Sequence, residues 1–223
     1  MQKFATATTG PVSTVLDIPA GRVQFIAADR ADTTVEVRPA DADRSRDVKA
    51  AERITVAYED GVLRIEAAPT QNLVLGNSGS VEVTVQLPTG SRVQAKAALA
   101  ELRGVGRLGD VVFEGAQATV KLDETASARL TLAAGDITVG RLGGDALIST
   151  RKGDLSITEA TGGAVELRTE YGDITVGAAR GVSASLDAGT SYGRITNALH
   201  NSGTADLAIR ATTSYGNIAA RSL

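Results

Sequence analysis

The sequence predicts an all-β protein: an elongated β-solenoid-like stack of two-strand coils of about 20 residues, with N-terminal antiparallel strands and a hairpin. Two patterns carry this prediction, namely short runs that alternate apolar and polar residues and glycines that recur at a regular spacing. The 223 residues include 24 glycines but only 3% aromatic residues, which suits a thin coil with small inward side chains. We expect an N-terminal β-strand region at residues 1–97 and the repeat at residues 98–223, in one continuous domain.

The N-terminal region begins with alternating runs. Apolar residues alternate with polar ones between Val12 and Ala27, and a turn is predicted at Pro19–Gly21. A second run covers Thr33 to Val37. Residues 39–52 are then mostly polar, which predicts a loop with one helical turn near Val48–Ala51. No helix longer than this turn is predicted.

A hairpin is predicted where Asp60-Gly61 separates two further alternating runs. Both central positions of a type I′ turn need a positive φ, and this dipeptide tolerates it, so the signal is a strong one. A loop is predicted at Gly76–Gly79, just before the alternating strand that starts at Val81.

Glycines fall into register from about residue 104, and each is followed by a short apolar alternation. The copies are Gly135–Val139, Gly153–Ile157 and Gly172–Val176, with degenerate copies at Gly193–Asn197 and Gly216–Ala220 and an outlying one at Gly109–Phe113. Apolar residues two and four positions after each glycine should point inward, and the residue between them outward. A second strand precedes each glycine, so each unit supplies two sides of a coil.

Several function classes are excluded by composition. The absence of cysteine removes disulfides, thiolate catalysis and cysteine-bound metals, and the single histidine, His200, precludes a histidine-rich site. A net charge of −3 argues against a nucleic-acid partner. The sequence has neither an apolar run long enough for membrane insertion nor an evident signal peptide, so we expect a cytoplasmic protein. We assign no catalytic, cofactor-binding or metal-binding residues.

Two enzyme-like motifs are interpreted as products of the repeat. Gly104-x-Gly106-x-x-Gly109 matches a dinucleotide fingerprint, but a strand is predicted to follow it, where that chemistry needs a helix N-terminus. Gly189-Thr190-Ser191-Tyr192-Gly193 matches a nucleophile elbow, yet its serine aligns with glutamate and arginine in other copies. Neither motif therefore predicts catalysis.

Two rows of equivalent residues are candidate surface sites. Asp136, Asp154 and Asp173 follow successive glycines, whereas Tyr171, Tyr192 and Tyr215 precede them. The aspartates could bind calcium or act as catalytic carboxylates, or they could accept backbone hydrogen bonds at the turns. The tyrosines could form a platform for sugars or bases, or they could stack on one another.

The order of these motifs resembles a bacterial domain-of-unknown-function family of the putative-adhesin, toastrack-like type, most closely its soluble actinobacterial members. The likeness covers nearly the whole chain. It is carried by Phe4, Leu16-Asp17-Ile18-x-Ala20-Gly21, Val35-x-Val37-x-Pro39, Glu59-Asp60-Gly61-x-Leu63, Ser80-Val81-x-Val83, Leu87-Pro88-Thr89-Gly90-Ser91 and the later Gly-Asp-Ile units. The resemblance implies an elongated all-β domain and a link to cell-envelope stress, and it brings no catalytic residues.

We therefore expect a non-catalytic scaffold or interaction module. The C-terminal coil ends at Arg221-Ser222-Leu223 without an evident cap, and an open coil edge invites pairing with another chain. This predicts self-association, or docking of an unknown protein partner, at that edge. The alternative is a carbohydrate-binding or carbohydrate-active β-helix protein that uses the aspartate and tyrosine rows.

Overall fold

The computed structural model describes residues 2–68 and 79–223, and strands dominate it. The first elements are β1 (Gln2–Ala7), β2 (Ser13–Ala28), β3 (Asp32–Pro39), α1 (Ser45–Glu52), β4 (Ile54–Glu59), β5 (Val62–Ala67), β6 (Val81–Pro88) and β7 (Arg92–Ala134). They are followed by β8 (Ile137–Leu142), β9 (Ala146–Ser149), β10 (Leu155–Ala160), β11 (Gly163–Arg168), β12 (Ile174–Ala178), β13 (Ala184–Tyr192), β14 (Ile195–Ala198), β15 (Leu207–Tyr215) and β16 (Ile218–Ser222). The predicted loop at Gly76–Gly79 lies, apart from Gly79, outside the described residues.

The strands form two faces of a solenoid. The front face has the order β1-β3-β6-β2-β7-β8-β10-β12-β16-β14, and the back face has the order β4-β5-β2-β7-β9-β11-β15-β13. The long strands β2 and β7 appear in both faces because they bend from one face into the other. Parallel pairing starts at β2, which pairs in parallel with β5, β6 and β7, so the coils begin well before residue 98.

The predicted turn at Pro19–Gly21 is a bend within β2. Ser13–Asp17 pair with β5, whereas Gly21–Ala28 pair with β6, so the strand changes face without being interrupted. The proline suits this corner because it has no N–H to leave unpaired there.

The N-terminal antiparallel strands and the hairpin are confirmed. Strands β1, β3 and β6 pair antiparallel, as do β4 and β5. Asp60 and Gly61 have φ of 50° and 79°, which is the left-handed backbone that the predicted turn requires. The helical turn expected near Val48–Ala51 is longer than predicted, since α1 has eight residues.

One apolar core runs along the solenoid between the two faces. Its buried residues extend from Val12 to Ile218, and inward residues of successive coils form aliphatic rows such as Ile137, Leu155, Ile174 and Ile218, each at most 1% exposed. Burial alternates along the strands as the sequence pattern predicts. Because the core is continuous, we propose that residues 1–97 and 98–223 fold as one domain.

The coils are not stacked in chain order. The coil formed by β15 and β16, here the C-terminal coil, lies between the coil of β11 and β12 and the coil of β13 and β14. The coil of β13 and β14, here the end coil, is therefore the outermost one. The prediction that the C-terminal coil supplies the open edge is wrong, because strands pair with β15 and β16 on both sides.

Candidate functional site at the end coil

The three predicted aspartates form a row along the corners, and each accepts a backbone hydrogen bond from the next coil. The N–H of Asp154 donates to Asp136 Oδ1 over 2.9 Å, and that of Asp173 donates to Asp154 Oδ1 over 2.8 Å. Asp173 Oδ1 in turn accepts from the N–H of Asn217 over 2.7 Å. The carboxylates therefore hold neighbouring coils together, as the backbone-bonding interpretation expects.

The row ends at the end coil for a chemical reason. Asn217 Oδ1 accepts from the N–H of Arg194 over 3.0 Å, which continues the row by one more step. Arginine has no acceptor atom, so a coil that carries Arg194 cannot pass the pattern on. Asp110, the outlying copy, is not part of the row, since it accepts from Ser127 Oγ and pairs with Arg92.

Substitutions at Asp154 should separate the hydrogen bond from the charge. We expect Asp154→Ala to lower the free energy of unfolding by about 1 kcal/mol, because the N–H of Asp173 loses its acceptor. Asp154→Asn should change it by no more than about 0.5 kcal/mol, because the amide oxygen still accepts and one of three like charges disappears. Urea denaturation measures both values. Equal losses for the two variants would contradict a role limited to the backbone bond.

The three predicted tyrosines stack on one another in spatial rather than chain order. The rings of Tyr171 and Tyr215 are 5.1 Å apart between centroids, and those of Tyr215 and Tyr192 are 4.9 Å apart, both nearly parallel. All three side chains are exposed. Since Tyr215 has a ring on either side, its faces are occupied, and the stack presents ring edges rather than a flat platform. The outer face of Tyr192, at the end of the stack, points away from its neighbour.

The end coil has inward side chains like those of the other coils. Within the described part of the chain, however, its strands pair with a neighbouring coil on one side and not on the other. Ile195 is in register with Ile218 and, through it, with Ile174, both of which are buried, yet Ile195 itself is 43% exposed. All four residues of β14 are exposed. Alternate residues of a strand direct their backbone N–H and C=O groups to opposite sides, so the outer side of this coil offers backbone groups for pairing. Those of Ala184 are already used, because its N–H donates to the carbonyl of His200 and its carbonyl accepts from Asn201 Nδ2.

The enzyme-like motifs lie in the solenoid framework. Gly104–Gly109 lies within β7, so the glycines do not precede a helix. Ser191 lies near the end of β13, and the chain continues through Gly193 into β14, a strand-to-strand corner in place of the strand-to-helix turn of a nucleophile elbow.

Residues that mark the outermost coil were visible in the sequence and were missed. Arg194 replaces the acceptor of the Asp row, and Asn197 occupies an inward position where the adjacent C-terminal coil has buried Ala220. An inward asparagine can be hydrated at the end of a stack, and here its Oδ1 accepts from the N–H of Leu199 over 3.1 Å. Together these two residues place their coil at the end.

These features define a β-solenoid interaction module. It has two strand faces wound into stacked coils, ladders of like residues along the corners and an open outermost coil. More particularly, the chain belongs to the Toastrack DUF4097 family, whose model matches residues 14–222. The resemblance to a toastrack-like family that was inferred from the motifs is thereby confirmed.

Solved structures similar to this chain come from several bacteria. A putative cell adhesion protein from Clostridium sporogenes shares 12% identity over 100% of this chain and 99% of that chain, with a TM-score of 0.38. A putative adhesin from Bacteroides fragilis shares 11% identity over 98% and 96%, with a TM-score of 0.39. A putative lipid binding protein from Parabacteroides distasonis shares 12% identity over 98% and 96%, with a TM-score of 0.44.

No curated protein sequence matches the chain. Within residues 2–68 and 79–223, α1 is the one helix, and no helix there is long and apolar enough to cross a membrane.

Proposed function

We propose that this protein is a non-catalytic interaction module that accepts a β-strand of a protein partner along the open edge of its end coil. One observation carries the proposal: Ile195 occupies a core position of the repeat and is 43% exposed, whereas Ile218 beside it is 1% exposed. A residue of core type at an uncovered position is what strand addition would bury.

Strand addition is supported by how the coils already bind one another. β13 pairs with β15 over Ala184–Tyr192, and β14 pairs with β16 over Ile195–Ala198. Beyond Ala184, whose outward groups bond to His200 and Asn201, the same backbone groups repeat on the outer side of the coil, so an added strand would find a comparable hydrogen-bonding pattern. Affinity would come from the main chain, and selectivity from side chains that pack on Ile195.

The carbohydrate alternative has less support. The aspartates that it would use as acids already accept backbone hydrogen bonds, for example Asp154 from the N–H of Asp173. The face of Tyr215 that a sugar would stack on is covered by a neighbouring ring. The free outer face of Tyr192 lies at the end coil and so belongs to the surface proposed for strand addition.

A peptide of the chain's own sequence tests strand addition. A labelled peptide of residues 207–222 reproduces the strands that pair with the end coil from the inner side. We expect saturable binding to the intact protein by fluorescence anisotropy, with a dissociation constant on the order of 100 µM. Ile195→Lys should weaken it at least about tenfold, because a charge placed in the strand-adding surface opposes pairing.

The matched control is Thr175→Lys, which adds the same charge to an exposed position of β12 in an inner coil. This variant should bind the peptide as the parent protein does. Binding of a scrambled peptide with equal affinity would refute the proposal, as would the absence of binding at about 1 mM. Thermal unfolding by circular dichroism verifies that both lysine variants are folded.

A further inference from the structure

We propose that the partner of the end coil is a second copy of this chain, joined end to end about a twofold axis. The inference rests on the proposed function, since it takes the end coil to accept strands. Four properties of the end coil support it: strand length, charge, apolar exposure and area.

Strand lengths favour two identical ends. β13 has nine residues and β14 has four. A twofold axis can set each strand antiparallel to its own copy. The loop after β14 already bonds the outward groups of Ala184, so residues 185–192 of β13 face their own copy, and the four residues of β14 face four. The edge strands at the opposite end of the solenoid, β1 and β4, have six residues each, which matches neither. Head-to-tail stacking would also repeat without closing, whereas the twofold contact closes at two copies.

Charge permits the contact. Residues 184–198 contain one acidic and one basic residue, Asp187 and Arg194, so the end coil has no formal net charge, whereas the whole chain carries −3. Asp187 is further neutralised by Arg210, which donates to its carboxylate over 3.2 Å. Two end coils therefore meet without the like-charge repulsion that would separate other parts of the surface.

The apolar groups of the end coil are placed so that a second copy covers them. Ile195 is exposed, and Leu186 and Leu199 pack against the core while remaining partly accessible. Tyr192 is 65% exposed and uses one ring face on Tyr215, so its other face is free for a group on the partner copy. Aromatic and aliphatic side chains at the centre of a contact contribute most of its binding energy.

The available area predicts a weak dimer. A nine-residue strand is about 30 Å long at roughly 3.3 Å per residue, and two faces with their side chains are about 20 Å across, which gives roughly 600 Å² per copy. Two copies would bury about 1,200 Å², the lower limit of specific stable interfaces. We therefore expect dissociation in the micromolar range and reversible dimers.

Sedimentation velocity of the intact protein between about 1 and 500 µM tests the inference. The mass should rise from 22.9 kDa towards twice that value and stop there. Ile195→Lys should weaken the dimer at least about tenfold, while Thr175→Lys should leave it unchanged. A constant mass, growth beyond two copies or equal effects of the two variants would overturn the inference.

Cysteine variants test the twofold axis directly, because the chain has no cysteine of its own. Near such an axis a residue meets its own copy, so Asn197→Cys should give a covalent dimer on mild oxidation, and the inner-coil control Thr175→Cys should not. A monomer with both variants contradicts the inference. If the peptide of residues 207–222 binds while the chain remains monomeric, the inference fails and the proposed function stands.

Discussion

A disulfide is expected to form between cysteines introduced at Thr175 and Ala219, and none between cysteines at Thr175 and Thr196. Thr175 and Ala219 are partners in adjacent strands, about 4.8 Å apart, which lies within the Cα separation of a disulfide. Thr196 is the partner of Ala219 on the other side, so it lies about 9.6 Å from Thr175, beyond the roughly 7 Å limit. The result is nearly all or none, because the three positions are exposed and no native cysteine competes.

Non-reducing peptide mapping by mass spectrometry identifies the bond. The third pair, Ala219→Cys with Thr196→Cys, is the positive control, since these residues are also partners. If the coils were stacked in chain order, the outcome would be reversed: Thr175 would link to Thr196 and not to Ala219. The experiment therefore decides the position of the C-terminal coil, on which the identity of the open edge depends.

Gly153→Ala is expected to lower the free energy of unfolding by about 2–5 kcal/mol, combining backbone strain with displacement of a packed coil. Gly153 has φ of +144°, which side chains rarely adopt, and a Cβ there would lie 2.2 Å from the carbonyl oxygen of Gly135 in the neighbouring coil. That oxygen belongs to the corner backbone, so the clash with the added Cβ is relieved only if the two coils separate locally.

Gly189→Ala is the matched control. Gly189 is exposed in β13, its φ is not in the left-handed region, and a Cβ there meets nothing within 4 Å. Its substitution should change stability by less than about 1 kcal/mol, with a gain from reduced chain entropy in the unfolded state. Urea denaturation of both variants measures the difference. Similar losses of unfolding free energy at the two sites would contradict the view that the repeat glycine is needed for the corner geometry.

Local patterns predicted the solenoid well because coil formation depends on local chemistry. The alternation of Leu155 and Ile157 around Ser156 is a property of one strand, and it gives the same inward and outward faces in the structure. The left-handed turn at Asp60-Gly61 is likewise dictated by two adjacent residues. The candidate site was less predictable, because whether Tyr192 ends the stack depends on which coil lies beside it.

The sequence by itself determined the class of fold, the inward and outward faces and the residues that form rows, since each follows from periodicity within a single coil. The tertiary structure decided the order of the last coils and so the location of the open edge. Successive coils carry nearly interchangeable strands, and local periodicity does not rank them. Single residues that differ between coils do distinguish them: Asn217 can pass on the hydrogen-bonded row whereas Arg194 cannot, and Asn197 is exposed at the end of the stack whereas Ala220 is buried inside it.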